Sequence, residues 1–178
     1  MNLKSRLSQR IHMNDIYEIL YLTQNDEKLK QRLFKLIFTP DDITAYQAAW
    51  VFTHFTLTEN QWLYSKQDEL IEEALTCQHP GKRRLILSLL YRQPLANPPR
   101  IDFLDFCLDR MIAKSELPGV QTLCMKLAYE LCRQTPELLC EFKSMLEIME
   151  TNLLPTSLRT VRRNIQKMMK TGKSMQVY

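Results

Sequence analysis

The chain has 178 residues, a formal net charge of +4, 45% hydrophobic residues, and only three glycines against eight prolines. A protein of this length would ordinarily contain roughly twelve glycines, so glycine-rich phosphate loops and most turn-dense β folds are excluded. The length suits one domain with a sizeable core, and no apolar run approaches the ~18 residues that a membrane-spanning helix needs.

The first helices are predicted from apolar residues that recur at helical spacing. Leu3, Leu7 and Ile11 stand four residues apart and predict a short opening helix that docks on the next one. Two further helices follow, with Asn25 as a cap between them. Their apolar faces are Ile16, Ile19 and Leu20, then Leu29, Leu33, Leu36 and Ile37.

Four prolines then recur at a nearly constant interval. Pro40, Pro80, Pro118 and Pro155 are 40, 38 and 37 residues apart, and each is followed by a stretch with helical spacing. Proline fits the first position of a helix because its missing N–H has no partner there. The interval predicts a repeated unit of two helices, because helices also fill the stretches between these starts.

Those intervening helices have their own start signals. Thr58 and Gln61 have the spacing of a capping box, and Thr135 is the expected cap of a helix beginning at Pro136. Residues 93–102, which contain three prolines, are expected to form a long loop, with a domain boundary there as the less favoured alternative.

The period and the helix starts HPGKRRLILSLL, LPGVQTLCMKLAYEL and LPTSLRTVRRNIQKM resemble HEAT-type (armadillo-like) repeats. The resemblance implies an all-α fold, a right-handed α-α superhelix (solenoid) of about four helix pairs. A single HEAT-like domain over 1–170 and a flexible C-terminal tail over 171–178 are expected. The alternative is a non-repetitive helical bundle.

Such a solenoid implies a non-catalytic scaffold or adaptor that binds a partner protein through its groove. The residues expected to line that groove are Tyr64, Lys66, Phe103, Phe106 and Glu141. Of these, Phe106 is the one more readily assigned to the core.

Charge is uneven along the chain. Residues 1–78 carry 8 basic and 11 acidic residues, whereas residues 79–178 carry 16 and 9. A basic patch that could attract nucleic-acid phosphates is predicted from eight residues. They are Lys82, Arg83, Arg84, Arg159, Arg162, Arg163, Lys167 and Lys170. This supports an alternative function, a nucleic-acid-binding protein similar to the helical-repeat DNA alkylation-repair glycosylases. A solvated outer face on a terminal helix is the other interpretation of the same charges.

Nothing in the sequence predicts a catalytic, cofactor or metal site. The three histidines lack metal-ligand spacing, and neither a nucleophile elbow nor a P-loop is present. The five cysteines include no Cys-x-x-Cys pair, which is typical of buried thiols in a reducing cytoplasm.

Overall fold

The computed structural model describes residues 2–178, and every regular element in that range is a helix. Its contacts divide the chain into two compact units. Unit 1 runs to Leu89 and includes Tyr178, and unit 2 is Leu90–Val177. The all-α fold class is therefore confirmed, whereas a single domain over 1–170 stays a prediction.

Unit 1 contains six helices, one 3-10 segment and most of a seventh helix. The helices are α1 (Leu3–Leu7), α2 (Met13–Gln24), α3 (Glu27–Leu36), α4 (Asp42–Thr53), α5 (Leu57–Asn60), α6 (Gln67–Thr76) and α7 (Pro80–Tyr91), with the 3-10 segment at Gln61–Lys66.

The core of unit 1 is built around α4. This helix contacts α1, α2 and α3, and it buries side chains on most of its circumference. Three of those residues are alanines, Ala45, Ala48 and Ala49, and small side chains allow neighbouring helices to approach closely. The opening helix packs mainly on α4 and α3, and Arg6 also links it to the next helix through an ion pair with Asp15.

Unit 2 contains four helices and one 3-10 segment. They are α8 (Ile101–Ile112), α9 (Pro118–Cys132), α10 (Pro136–Ile148), the 3-10 segment Thr151–Leu153, and α11 (Thr156–Met169). The proline-rich stretch before α8 is a loop, as predicted.

Helix α9 is the centre of unit 2, because α8, α10 and α11 all pack against it. Its predicted face is buried, including Val120, Cys124, Leu127 and Ala128. Several residues outside that face are buried as well, and one of them, Glu130, is charged.

The repeated prolines lie at or just before helix starts. Pro80 and Pro118 are the first residues of α7 and α9. Pro155 is the residue before α11, and Pro40 lies two residues before α4, whose cap is Asp41. Each of the four prolines therefore marks a helix start, as predicted, although only two of them occupy the first helical position.

One predicted cap differs from the structure, and the other lies between its two helices as predicted. The capping box is made by Thr56 and Glu59, not by Thr58 and Gln61, because the helix begins two residues earlier than its apolar pattern indicates. Asn25 caps the C-terminal end of α2, whereas Asp26 accepts the hydrogen bond at the start of α3.

The residues after α11 are tied into unit 2 by hydrogen bonds. The Glu130 carboxylate accepts from the Met175 main-chain N–H at 2.6 Å and from Ser174 Oγ at 2.9 Å. The hydroxyl of Tyr91 donates to the Met175 carbonyl. Burial raises the pKa of this hydroxyl to about 12. These contacts argue against a freely mobile segment, although the flexibility of 171–178 stays a prediction.

Candidate functional site

The solvent side of α11 carries a row of unpaired cations. Its members are Arg159, Arg163, Lys167 and Lys170, all exposed and spaced by four, four and three residues. This spacing places them on one face of the helix, and the row is about 16 Å long at the rise of an α-helix. No ion pair joins any of the four to an acid of residues 2–178. We call this row the cationic face of α11.

The other predicted basic residues have internal partners or stand apart. Lys82 is buried, and its Nζ lies 2.7 Å from Glu73 Oε1. Arg83 is buried and donates to the Cys77 carbonyl. Arg162 donates from Nε to the Leu146 carbonyl at 2.8 Å and therefore anchors α11 to α10. Arg84 alone of the 82–84 cluster is exposed.

The predicted patch is thus reduced to its C-terminal part. Arg162 and Arg163 carry the same charge, but adjacent residues on a helix point in different directions. The face that carries Leu158 and Ile165 is buried, and Arg162 lies on the edge of that face, where a long side chain reaches a helix-terminal carbonyl.

A second feature of unit 2 is an apolar groove between the ends of α8 and α10. Its volume is about 740 Å³, and it is bordered by Lys114, Glu116 and Glu150. The apolar side chains that line it are Met111, Ile112, Pro118, Met145, Ile148, Met149, Leu153, Leu154 and Pro155. We call this feature the unit 2 groove.

Several of its large apolar side chains are open to water. Ile148 is 80% exposed, Leu153 69% and Ile112 48%. Met145 and Met149, which also line the groove, are half-buried. Exposed apolar side chains that cluster mark surfaces that are covered in an assembly, whereas isolated ones need no explanation.

This groove is not predicted from the sequence, although one signal was present. Ile148 does not share the apolar face of α10 formed by Phe142, Met145, Leu146 and Met149. An isoleucine outside the buried face of an amphipathic helix is not needed for the core. The groove also uses the 3-10 segment, whose position no helical periodicity reveals.

The residues predicted to line a binding groove are distributed differently. Phe103 is fully buried, so its prediction as a groove residue is wrong. Phe106 is half-buried, with the guanidinium of Arg110 5.5 Å from its ring centre. Lys66 is half-buried, with its Nζ 4.4 Å from the centre of the Trp62 ring. Tyr64 is half-buried and Glu141 is exposed.

Within residues 2–178 no group of three His, Cys, Asp or Glu side chains is arranged to hold a metal ion. In the same range no helix has the length and apolar character needed to cross a bilayer. All five cysteines are free thiols.

The helical architecture and the recurring helix starts define an all-α repeat protein. The family model described as HEAT repeat domain matches residues 3–169, and the chain belongs to this family. Comparison with curated proteins and with solved structures gave no significant match.

Proposed function

We propose that the protein is a non-catalytic scaffold that binds a partner protein through the unit 2 groove. The single observation that supports this proposal is the cluster of exposed apolar side chains beside two half-buried methionines, Met145 and Met149. HEAT repeats are helical scaffolds that commonly mediate protein interactions, and the family therefore supports the same function. The free thiols suit a reducing compartment such as the cytoplasm.

The occupant that fits this groove is the apolar face of an amphipathic helix of the partner. Methionine side chains are flexible and polarisable, so Met145 and Met149 can pack against either aliphatic or aromatic side chains of the partner helix. Ile148 and Leu153 are highly exposed in the free protein and would lose their water on binding. Side chains at the centre of a protein interface are desolvated in this way. Lys114 and Glu150 would then form a polar rim of mixed charge.

Site-specific photo-crosslinking in the native host tests this proposal. A photoreactive amino acid at position 148 is expected to cross-link one partner protein, and the same group at position 101 is not. Ile101 is the matched control because it is also apolar and 59% exposed but lies outside the groove.

The captured partner is then purified and its affinity measured. Ile148→Glu is expected to weaken binding by about tenfold or more, because a carboxylate at a buried interface centre loses its hydration, and Ile101→Glu is expected to bind as the wild type. Equal affinities for both variants, or cross-links from position 148 only to a second copy of this chain, would overturn the proposal.

The cationic face of α11 supports a second candidate function, nucleic-acid binding. Nucleic-acid strands present regularly spaced phosphates, and each Lys or Arg that contacts one releases a counterion. Four exposed cations on one helix face, none of them in an ion pair with residues 2–178, are the arrangement that this mode of binding needs.

Titration with duplex and single-stranded DNA and RNA at about 50 and 200 mM salt tests the second candidate. The variant Arg159→Ala/Arg163→Ala/Lys167→Ala is expected to lower the slope of log K against log salt by about 2 to 3. Its control is Lys28→Ala/Arg32→Ala/Lys35→Ala, which removes three exposed cations from α3. Binding without salt dependence, or equal losses in the two variants, would contradict this function.

A further inference from the structure

Unit 1 contains a cavity that neither proposed function uses. It lies between the α1–α2 junction, helix α4 and the residue before α7, and its volume is about 750 Å³. Binding sites for small molecules have volumes of about 300 to 1,000 Å³. The side chains that matter for its chemistry are Arg10, His12, Asp42, Tyr46, Trp50 and His79.

One wall of this cavity is held in place by Gln47. Its buried amide donates to the carbonyls of Leu7 at 2.6 Å and Gln9 at 2.7 Å, and it accepts from the Ile11 N–H at 2.8 Å. The segment that carries Arg10 and His12 is therefore fixed to α4 by three hydrogen bonds across the unit. A site on a fixed wall loses little conformational freedom when a ligand binds.

The wall formed by α4 is aromatic. Tyr46 and Trp50 are one helical turn apart, both are half-buried, and both line the cavity. The ring of His79 lies 5.8 Å from that of Tyr46. A Cβ at Gly81 would come within 3.0 Å of His79 Cε1 and 3.2 Å of Tyr46 Cε2. Glycine therefore permits this close packing of the two rings.

The tautomer of His79 is determined by its neighbour. The Lys82 main-chain N–H donates to His79 Nδ1 at 3.0 Å. In the neutral imidazole the proton therefore resides on Nε2, which makes that atom a hydrogen-bond donor. The Tyr46 hydroxyl supplies a second donor at the same wall.

Charge at the mouth of the cavity comes from one cation and one anion. Arg10 is exposed and forms no ion pair with an acid of residues 2–178, whereas the neighbouring Arg6 is paired with Asp15. Asp42, in the first turn of α4, is also exposed. A guanidinium binds a phosphate with two parallel hydrogen bonds, and a carboxylate accepts from an amino group.

We propose that this cavity binds a nucleotide unit. The base stacks on Trp50 and Tyr46, the phosphate is bound by Arg10, and an amino group of the base donates to Asp42. Aromatic stacking recognises the flat face of a base, and a nucleotide combines that face with an anionic group and an amino donor. Two sources share this chemistry, a free mononucleotide and a nucleotide within a single strand.

Fluorescence of Trp50 provides the test. The chain contains two tryptophans, and Trp62, outside the cavity, is changed to phenylalanine so that the emission reports Trp50 alone. Saturable quenching by adenosine monophosphate is expected, with adenosine at least about tenfold weaker because it lacks the charged partner of Arg10. A four-residue deoxyadenosine strand distinguishes the sources, since stronger quenching by AMP than by this strand indicates a free nucleotide and the reverse order a strand.

Two variants in the Trp62→Phe background complete the experiment. Arg10→Ala is expected to abolish the preference for the monophosphate over adenosine, whereas Arg32→Ala, an exposed arginine of α3, leaves it unchanged. Arg10 is exposed, and a thermal unfolding curve verifies that each variant folds. Absence of saturable quenching by either probe, equal affinity for adenosine and the monophosphate, or an unchanged preference in Arg10→Ala would overturn the proposal.

Discussion

Gln47 shows how a single buried polar side chain organises unit 1. Its amide is hydrogen-bonded to two carbonyls and one N–H at the junction of α1 and α2, and the bonds to the Leu7 carbonyl and the Ile11 N–H are buried. Helical periodicity does not single this residue out, because glutamine is usually exposed and its role depends on contacts 36 to 40 residues away.

Replacing Gln47 by alanine is expected to lower the free energy of unfolding by about 1 to 3 kcal/mol, the cost of leaving buried polar groups unsatisfied. Urea unfolding followed by circular dichroism measures this change. Gln61→Ala, at an exposed glutamine, is the control and is expected to unfold as the wild type. Equal midpoints for the two variants would show that the three hydrogen bonds do not stabilise unit 1.

A second residue-scale feature is the hydrogen bond between Trp62 and Glu27. The indole N–H donates to the carboxylate, with Nε1 2.8 Å from one carboxylate oxygen and 3.0 Å from the other. This hydrogen bond lowers the pKa of Glu27 below its ordinary value of 4.5, with smaller contributions from Gln31, Lys30 and Lys66. Because the folded-state pKa is depressed, the stabilisation is present above pH 4.5 and is lost as the pH falls through the folded-state pKa.

The indole N–H resonance of Trp62 is therefore expected to titrate with a midpoint below pH 4.5 in NMR spectra. In Glu27→Gln the resonance should no longer follow this titration. The indole resonance of Trp50 provides an internal reference in the same spectra. A Trp62 midpoint at or above 4.5 in the wild type would contradict the assigned hydrogen bond.

At the scale of elements, α9 organises unit 2 through both its apolar face and its buried acid. Glu130 accepts from Arg133 Nε at 2.7 Å, and its remaining hydrogen bonds go to the segment after α11. Its side chain is 1% exposed. A buried carboxylate is stable only when its oxygens are fully partnered, and this segment supplies two of the three donors that Glu130 uses.

Glu130→Ala is expected to destabilise the protein by about 3 kcal/mol, since it leaves Arg133 and two donors without their acceptor. Hydrogen exchange should show the amide of Met175 exchanging faster in this variant than in the wild type. Glu137→Ala, at an exposed glutamate in the first turn of α10, is the control. Unchanged exchange at Met175 would indicate that Glu130 does not hold the C-terminal segment.

At the scale of the whole molecule, the thiols report the packing of both units. Cys77, Cys107, Cys124 and Cys132 are buried, and Cys140 alone is exposed. Burial raises the pKa of Cys107 well above its ordinary range and that of Cys132 to about 12. The thiolate is the reactive form, so these two positions are doubly protected.

One thiol per folded chain is therefore expected to react quickly with a disulfide reagent, and the buried thiols about a hundredfold more slowly. All five should react after unfolding in denaturant. Cys140→Ser is expected to remove the fast phase, and Cys77→Ser to retain it. A second fast thiol in the native wild type would contradict the packing described above.

The helices could be predicted from the sequence because their signals are local. Val120, Cys124, Leu127 and Ala128 define a face by spacing alone, and Pro80 and Pro118 begin helices through their fixed φ and missing N–H. Errors arose where a signal had several equivalent positions. Thr56 and Thr58 are both plausible caps, and only the main-chain geometry selects Thr56.

The candidate sites could be predicted only in part. The sequence shows that α11 contains several cations and no acid, and four cations form the cationic face of α11. Lys82 and Arg83 look equally basic, yet each has a partner inside unit 1. The burial of a long charged side chain depends on which carboxylate or carbonyl lies within reach, and spacing along one helix does not contain that information.

By itself the sequence determined an all-α chain with a period of about 38 residues, because helix propensity, apolar spacing and proline placement act over a few residues. Membership of the HEAT repeat family agrees with that result. The tertiary structure decided which cations are free, that Ile148 and Leu153 border an open groove, and that Arg10 and Trp50 line one cavity. These properties depend on neighbours from distant parts of the chain, which cover some positions and leave others open to water.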